Sequence, residues 1–290
     1  MKNGRIMTAK PPWLVTAAPR PAVIDRMSRL LEQGGLSTVC EWADCPNIGE
    51  CYGRGTATFL ILGRICTRGC AFCPLATGVP AGPDHTEPGN VAEMIHSLQL
   101  GHVVITSVSR DDLPDGGASH FAKTVEAIKK LCPGTSVEVL VPDFQGSRQA
   151  LEIVCRAGPD VIGHNLETVP RLYPAVRMGA GYARSLEVLA LVKEIEGTIR
   201  TKSGLMLGLG ETQGELIQTM RDLRSRGCDF LTLGQYLQPG AEHYPVAEWI
   251  DPERFDHYRD VALDLGFVRV LSSPLGRSSY RAGEMLTGLE

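Results

Sequence analysis

Six short runs of β-branched and apolar residues, each followed by a turn and an amphipathic stretch, constrain the fold more than any other feature of this chain. They are Thr58 to Leu62, His102 to Val108, Val137 to Val141, Val161 to Leu166, Ile199 to Leu207 and Phe230 to Leu237. Between them, Phe121, Val125, Ile128 and Leu131 share one face at helical spacing, as do Leu216, Met220 and Leu223. Strand and helix alternating at roughly 30 residues per unit demand a parallel sheet, because each return to the same edge needs a crossover helix. The right-handed crossover rule leaves a doubly wound sheet or a barrel. The best dinucleotide loop, Gly208-Leu209-Gly210-Glu211-Thr212-Gln213-Gly214, sets its third glycine one position late and lacks a well-placed ribose acid. Its position after a strand leaves a site role for its backbone open. The pattern therefore predicts an α/β chain: a partial (β/α)6 TIM-type barrel over residues 56–238, with an N-terminal extension, 1–55, and a C-terminal extension, 239–290.

A chain of 290 residues with 43% hydrophobic content can bury a full-sized core. Its net charge of -4, with Lys and Arg scattered singly, offers no stripe for a nucleic-acid backbone, so no nucleic-acid partner is expected. Met1 to Lys10 carries basic residues but no continuous apolar core of a secretory signal, and no run is long enough to cross a bilayer. A cytoplasmic protein without a membrane partner is expected. There, nine cysteines stay reduced and read as metal or redox ligands before disulfides.

Six of those cysteines fall in two groups. The later one, Cys66-Thr67-Arg68-Gly69-Cys70-Ala71-Phe72-Cys73, follows the first barrel strand. Three thiolates so spaced can wrap a four-iron cluster and leave one iron without a protein ligand. A zinc knuckle would need a fourth Cys or His at a suitable distance, and none is there. This loop resembles the signature of the radical S-adenosylmethionine (radical SAM) superfamily, with Phe72 at the aromatic position that the superfamily packs near adenine. The resemblance implies a partial barrel of the radical SAM class. It also implies that the open iron chelates the methionine moiety of S-adenosylmethionine, and that one electron from the 4Fe-4S cluster releases a 5'-deoxyadenosyl radical. Such a radical takes hydrogen from an alkyl carbon, which no side-chain base can deprotonate at neutral pH.

The earlier group, Cys40, Cys45 and Cys51, lies in a loop rich in Pro, Gly and acids, where three free thiols would pack poorly. A second cluster is the better reading. Together with Cys45-Pro46-Asn47-Ile48, Arg110-Asp111-Asp112-Leu113, His164-Asn165-Leu166-Glu167-Thr168, Lys202-Ser203-Gly204-Leu205-Met206 and Arg277-Ser278-Ser279-Tyr280, these blocks resemble lipoyl synthase over most of the chain from Val39 to Tyr280. The resemblance implies an auxiliary 4Fe-4S cluster on Cys40, Cys45, Cys51 and one serine of the tail motif. That role is carried to Ser279, with Ser278 as the weaker choice. A hydroxyl is a harder and weaker iron ligand than thiolate, which suits a cluster that must be dismantled.

The implied reaction inserts two sulfur atoms, taken from the auxiliary cluster, at carbons 6 and 8 of an octanoyl chain on a carrier lysine. Each insertion consumes one S-adenosylmethionine. The implied partners are octanoylated lipoyl carrier domains (the glycine cleavage H protein and the acyltransferase components of 2-oxoacid dehydrogenases), an electron donor such as ferredoxin or flavodoxin, and an iron-sulfur cluster carrier.

Asn165 and Glu167 end the fourth strand and Arg177 follows, at positions where the family holds the ribose and methionine carboxylate of the cofactor; a structural hydrogen-bond network is the alternative. Ser107, Asp111 and Asp112, at the end of the second strand, either contact cofactor or substrate or cap the helix starting near Gly117. Cys132, Cys155 and Cys228 read as small core residues. The chain departs from the family pattern at Arg64, Met178 and Gly276, and none of these removes a ligand.

A biotin-synthase-like sulfur inserter would place its auxiliary ligands differently. A methylthiotransferase acting on RNA would add a basic domain. A two-cluster electron carrier would be small and would saturate every iron with thiolate. A zinc-stabilised scaffold is separable by eye: protein purified without oxygen is expected to be brown and to show charge-transfer absorption, whereas a colourless zinc protein would refute the cluster reading.

Overall fold

The computed structural model describes residues 10–16 and 18–288. Most of Met1 to Lys10, on which the expectation of no secretory signal rests, lies outside them. Eight strands form one sheet in sequential order: β1 (Ser37–Thr38), β2 (Thr58–Ile61), β3 (His102–Ser107), β4 (Ser136–Leu140), β5 (Val161–Gly163), β6 (Arg200–Leu207), β7 (Phe230–Gln235) and β8 (Arg269–Ser272). β1 runs antiparallel to β2, and every other pair is parallel. The sheet does not close, as expected of a partial barrel.

The helices are α1 (Pro21–Gln33), α2 (Val39–Trp42), α3 (Ile48–Gly53), α4 (Glu87–Leu98), α5 (Ala118–Leu131), α6 (Arg148–Arg156), α7 (Tyr173–Val176), α8 (Tyr182–Ile195), α9 (Gln213–Ser225) and α10 (Pro252–Asp264). α4, α5, α6, α8, α9 and α10 are the crossovers. Phe121, Val125 and Ile128 of α5 are buried against the sheet, while Leu131, expected on the same face, is 41% exposed at the helix end. Every residue of β2 and β7 is buried, as strands covered on both faces must be. Cys132, Cys155 and Cys228 are buried core residues, as read from the sequence. Among the described residues no helix is long and apolar enough to cross a membrane.

All six expected strands form with shifted ends: β4 starts one residue early, at Ser136, and β5 stops at Gly163, so Asn165 and Glu167, expected to end that strand, lie in the loop after it. The tail expected to lie outside the alternation contributes one further unit. Asp251 caps α10 by accepting from the Arg254 amide, Pro252 occupies the first turn, and β8 pairs with β7. β8, with three half-buried residues followed by one buried, shows no clear period in its sequence.

The glycine loop after β6 has a closed backbone. Glu211 accepts from the Gly208 and Leu209 amides at 2.6 and 2.9 Å, so these N–H groups are occupied rather than offered to a phosphate. Thr212 and Glu215 then form a capping box that starts α9.

Inside the sheet, Lys202 of β6 reaches Glu138 of β4 at 2.9 and 3.1 Å, both side chains 2% exposed. Removing one member strands a buried charge. Lys202→Met is expected to lower unfolding stability by about 4 kcal/mol, whereas the double change with Glu138→Met recovers most of the loss, as read by urea unfolding of the iron-free chain.

Candidate metal centres

The Cys66 to Cys73 loop leaves the sheet at the end of β2, where Leu62 and Gly63 take left-handed backbone at φ 67° and 87°. Arg110 donates to the Leu62 carbonyl, and the Leu62 amide donates to Glu87. The loop is then closed on itself: the Cys66 amide donates to the Ala76 carbonyl and the Gly78 amide to the Cys66 carbonyl. Further on, the Ala71 amide donates to Val176 and its carbonyl accepts from the Tyr244 amide, tying the loop to α7 and the C-terminal segment. The amides of Arg68 and Ser109 donate to the Cys66 sulfur at 3.4 and 3.3 Å.

Arg68, between the first two cysteines, anchors the loop. Its guanidinium, 9% exposed, donates to Asp111 at 2.6 and 2.7 Å and to Asp143 at 2.7 Å. Asp143 also accepts from Arg184 and from the Gln145 amide. Burial alone would raise the Asp143 pKa, but the Arg68 guanidinium beside it holds the carboxyl well below the usual aspartate range. Asp111 therefore serves the cysteine loop. Asp112 pairs with Arg110, and Asp115 is the acid that caps α5, through the Gly117 and Ser119 amides. The Ser107 hydroxyl donates to the neighbouring Val108 carbonyl.

Burial pushes the Cys70 thiol up to about 11, with Arg177 opposing and Glu167 adding to the rise, and the Cys73 thiol up to about 12. Phe72 packs against the buried Val169, Leu172, Val176, Leu209 and Tyr236, forming an apolar wall beside the loop.

The earlier trio sits at the other end of β2. Cys40 lies on α2 and is 6% exposed, Cys45 follows in a turn whose amide donates to the Cys40 carbonyl, and Cys51 lies on α3. The three line one cavity together with Asn47, Thr58, Arg277 and Ser279. Desolvation pushes Cys40 up to about 12 and Cys51 up to about 11, and raises Cys45 against a lowering contribution from Arg277. Asn47 donates to the Leu275 carbonyl at 2.8 Å and so docks the tail on this loop.

The two tail serines face different ways. Ser279 lines the cysteine cavity, whereas the Ser278 hydroxyl accepts from Asn165 at 2.7 Å. Soft thiolates joined by one hydroxyl suit iron-sulfur over a hard cation. Among the described residues no three Cys, His, Asp or Glu side chains converge as ligands of a single ion. A cubane differs in needing its ligands spread over separate irons.

β2, four residues at about 3.3 Å rise, is the spacer between the two trios. Glu167, just past β5, has φ 66° and is bridged to β6 through the Gly204 carbonyl and the Met206 amide. Its carboxyl is pushed up by burial, with Arg177, Asn165 and Arg277 opposing. Burial pushes the Arg277 pKa down, with Cys45 and Glu167 opposing, so its guanidinium stands in the field of both sites. In the sequence Arg277 stands out only as the first residue of the Arg277-Ser278-Ser279-Tyr280 motif, with no signal for a task of its own. Arg177 donates to Tyr173 at 3.0 Å and Ser185 at 2.7 Å, and reaches His164 at 3.3 Å. It is thus engaged in the hydrogen-bond network that was the alternative to cofactor contact. His164 is pushed down to about 3 by burial and then by Arg177, and stays neutral. Arg64, a departure from the family pattern, stacks on the exposed Trp42 ring at 4.6 Å. Met178 is exposed. Gly276 lies so near β7 that a Cβ would stand 2.4 Å from the Leu233 carbonyl.

The sequence profile of the Radical SAM superfamily matches residues 60–223. A lipoyl synthase from Caldicellulosiruptor saccharolyticus is 52% identical over 279 residues, covering 96% of this chain and 98% of the relative. Another, from Caldanaerobacter subterraneus subsp. tengcongensis, is 55% identical over 273 residues, covering 94% and 95%. The chain belongs to the lipoyl synthase family. The fold agrees: the crystal structure of methylornithine synthase superimposes with a TM-score of 0.55 at 13% identity, over 89% of this chain and 80% of that one. The Streptococcus suis SuiB structure bound to S-adenosylmethionine gives 0.58 at 12% identity, over 78% of this chain and 53% of that one.

Within this member of the lipoyl synthase family, the Arg68 clamp has a pH signature. An aspartate whose pKa is depressed on folding contributes stability above its unfolded value, and that contribution is lost as pH falls toward the folded one. Asp143→Asn is expected to cost about 3 kcal/mol at neutral pH. The gap between variant and parent should be widest above pH ~4 and narrow on acidification, as measured by unfolding of the iron-free chain across pH.

Proposed function

We propose that this chain is a lipoyl synthase that inserts two sulfur atoms, at carbons 6 and 8, into an octanoyl chain carried on a lysine of a lipoyl carrier domain. The observation that carries the reading is the pair of cysteine trios at opposite ends of β2, with Ser279 in the cavity of the earlier one. Cys66, Cys70 and Cys73 would hold the radical SAM 4Fe-4S cluster. Cys40, Cys45, Cys51 and Ser279 would hold the auxiliary one. When bound, the first cluster with S-adenosylmethionine supplies a carbon-centred radical able to take hydrogen from an alkyl carbon, and the second supplies sulfur.

The residues around the sites bind, orient and exclude water. Phe72 and the apolar residues packed on it offer a dry wall for the adenine of the cofactor. Asn165 and Glu167 stand at the mouth, with Glu167 close enough to bear on Cys70 and Cys73, where they would meet the ribose and the amino group of the methionine moiety. Arg177, tied to Tyr173 and Ser185, would offer its positive field to the methionine carboxylate. Ser107, whose hydroxyl is turned to its own strand, would act through strand geometry more than direct contact. Arg277 supplies a fixed positive charge between the two sites, favouring thiolate at Cys45 and opposing the burial penalty of Glu167. Loading either site requires buried thiols to lose protons, so ligation and ordering of the loops are coupled.

The proposal extends to octanoylated carrier domains such as the glycine cleavage H protein and 2-oxoacid dehydrogenase acyltransferases. It includes a ferredoxin- or flavodoxin-type reductant, an iron-sulfur carrier that rebuilds the auxiliary cluster, and a cytoplasmic setting.

Reconstituted protein mixed without oxygen with S-adenosylmethionine, dithionite and an octanoyl-lysine peptide is expected to yield 5'-deoxyadenosine together with a mass gain of two sulfurs on the peptide. Deoxyadenosine without sulfur in the parent chain would remove the lipoyl synthase reading. Cys40→Ala is expected to retain deoxyadenosine formation and abolish sulfur transfer, read by mass spectrometry of the same reaction.

A further inference from the structure

The geometry points to Glu50 as a positioning residue that latches the serine-bearing tail onto the helix carrying Cys51. This rests on the reading of the auxiliary site given above and adds to it how the oxygen corner is held. Glu50 immediately precedes Cys51 on α3, and Tyr280 and Arg281 immediately follow Ser279. The Tyr280 hydroxyl donates to Glu50 Oε2 at 2.7 Å, and Arg281 Nη2 donates to Oε1 at 3.0 Å. Arg54, just past the end of α3, reaches the same Oε1 at 3.0 Å and crosses to Glu284 at 3.5 Å. One carboxylate thus joins two segments some 230 residues apart in the chain, each at the position next to a proposed ligand.

A thiolate holds iron without such help. A serine oxygen is a weaker iron ligand, so its residence on the cluster depends on how firmly the backbone presents it. The latch is also built to open. Side-chain exposures are 37% for Glu50, 54% for Arg54, 41% for Arg281 and 59% for Glu284, and ion pairs this exposed are weak and screened by salt. Beneath it lies a second cavity, open to solvent, lined by Glu50, Cys51, Arg54, Ser279, Tyr280 and Arg281. Cys51 and Ser279 therefore border both the inner cavity and the outer groove, while Cys40 borders only the inner one. Releasing Glu50 from Tyr280 frees the oxygen corner on the side where solvent and a cluster donor have access, and leaves the buried cysteine in place.

The test uses the full chain carrying C66A, C70A and C73A, so that only the earlier trio can load. Iron per chain is measured after anaerobic reconstitution. Release to a ferrous chelator is then followed by loss of charge-transfer absorbance. E50Q and Y280F in this background are expected to start with the iron content and thermal unfolding of the parent and to release iron about 5-fold faster. Added salt is expected to accelerate the parent and Y280F, which keep the ion pairs of Glu50, more than E50Q, which lacks them. Adding S279C to E50Q is expected to restore slow release, since a thiolate needs no latch, a rescue that general destabilisation of the fold would not show. Release from both variants at the parent rate would overturn the latch and leave the auxiliary site standing. A parent that loads about one ion or none, rather than about four irons, would overturn the auxiliary site and the latch with it.

Discussion

The parallel pairing of β2 with β3 is the constraint on which the rest of the site depends. Its four residues, all buried, end in one cysteine loop and begin beside the other, so the register Thr58 with Val104 through Ile61 with Ser107 sets where both trios stand. Side chains alternate along a strand, and a one-residue slip would turn every β2 side chain to the opposite face and carry the Cys66 loop about 3.3 Å along the sheet. β1 covers the other edge of β2 in antiparallel pairing, and through it the N-terminal segment that bears Cys40 is bound to the same strand.

Electrostatics at the two sites share one logic. Burial opposes thiolate at Cys40, Cys45, Cys51, Cys70 and Cys73, and guanidinium groups placed nearby oppose burial. Arg177 does this for Cys70 and Arg277 for Cys45. Fixed positive charge in a poorly hydrated pocket favours an anionic cluster without supplying a competing ligand, because arginine has no acceptor and does not lose its proton. Arg68 is also held by ion pairs to Asp111 and Asp143, so it contributes rigidity to the cysteine loop besides its smaller effect on Cys70.

Chain ends far apart in sequence complete the earlier site. The tail reaches it because α10 and β8 add one more unit to the sheet and return the chain beside β7, where the close approach of Gly234 and Gly276 lets two backbones pack without an intervening side chain. Asn47 then holds the Leu275 carbonyl, and Glu50 holds Tyr280 and Arg281. These docking contacts bring the segment from residue 40 to 51 and residue 279 to one cavity.

The identities and spacing of the cysteines, the alternation of strand and helix and the tail motif are local properties, and the sequence by itself determined them, because period and spacing act over a few residues. β1 and β8 were not legible: two and four residues carry too little period, and their pairing partners supply the order. Asp111 and Asp112 read equally well as ligand contacts or caps until the fold turned them toward Arg68 and Arg110. Ser278 and Ser279 are the same residue type in adjacent positions, and only the path of the tail across the sheet sends one hydroxyl to Asn165 and the other to the cysteines. Arg277 and Glu50 gained their positions in the same way. Long-range packing decides which side chains meet, since sequence spacing constrains neighbours and tertiary contacts join residues hundreds of positions apart.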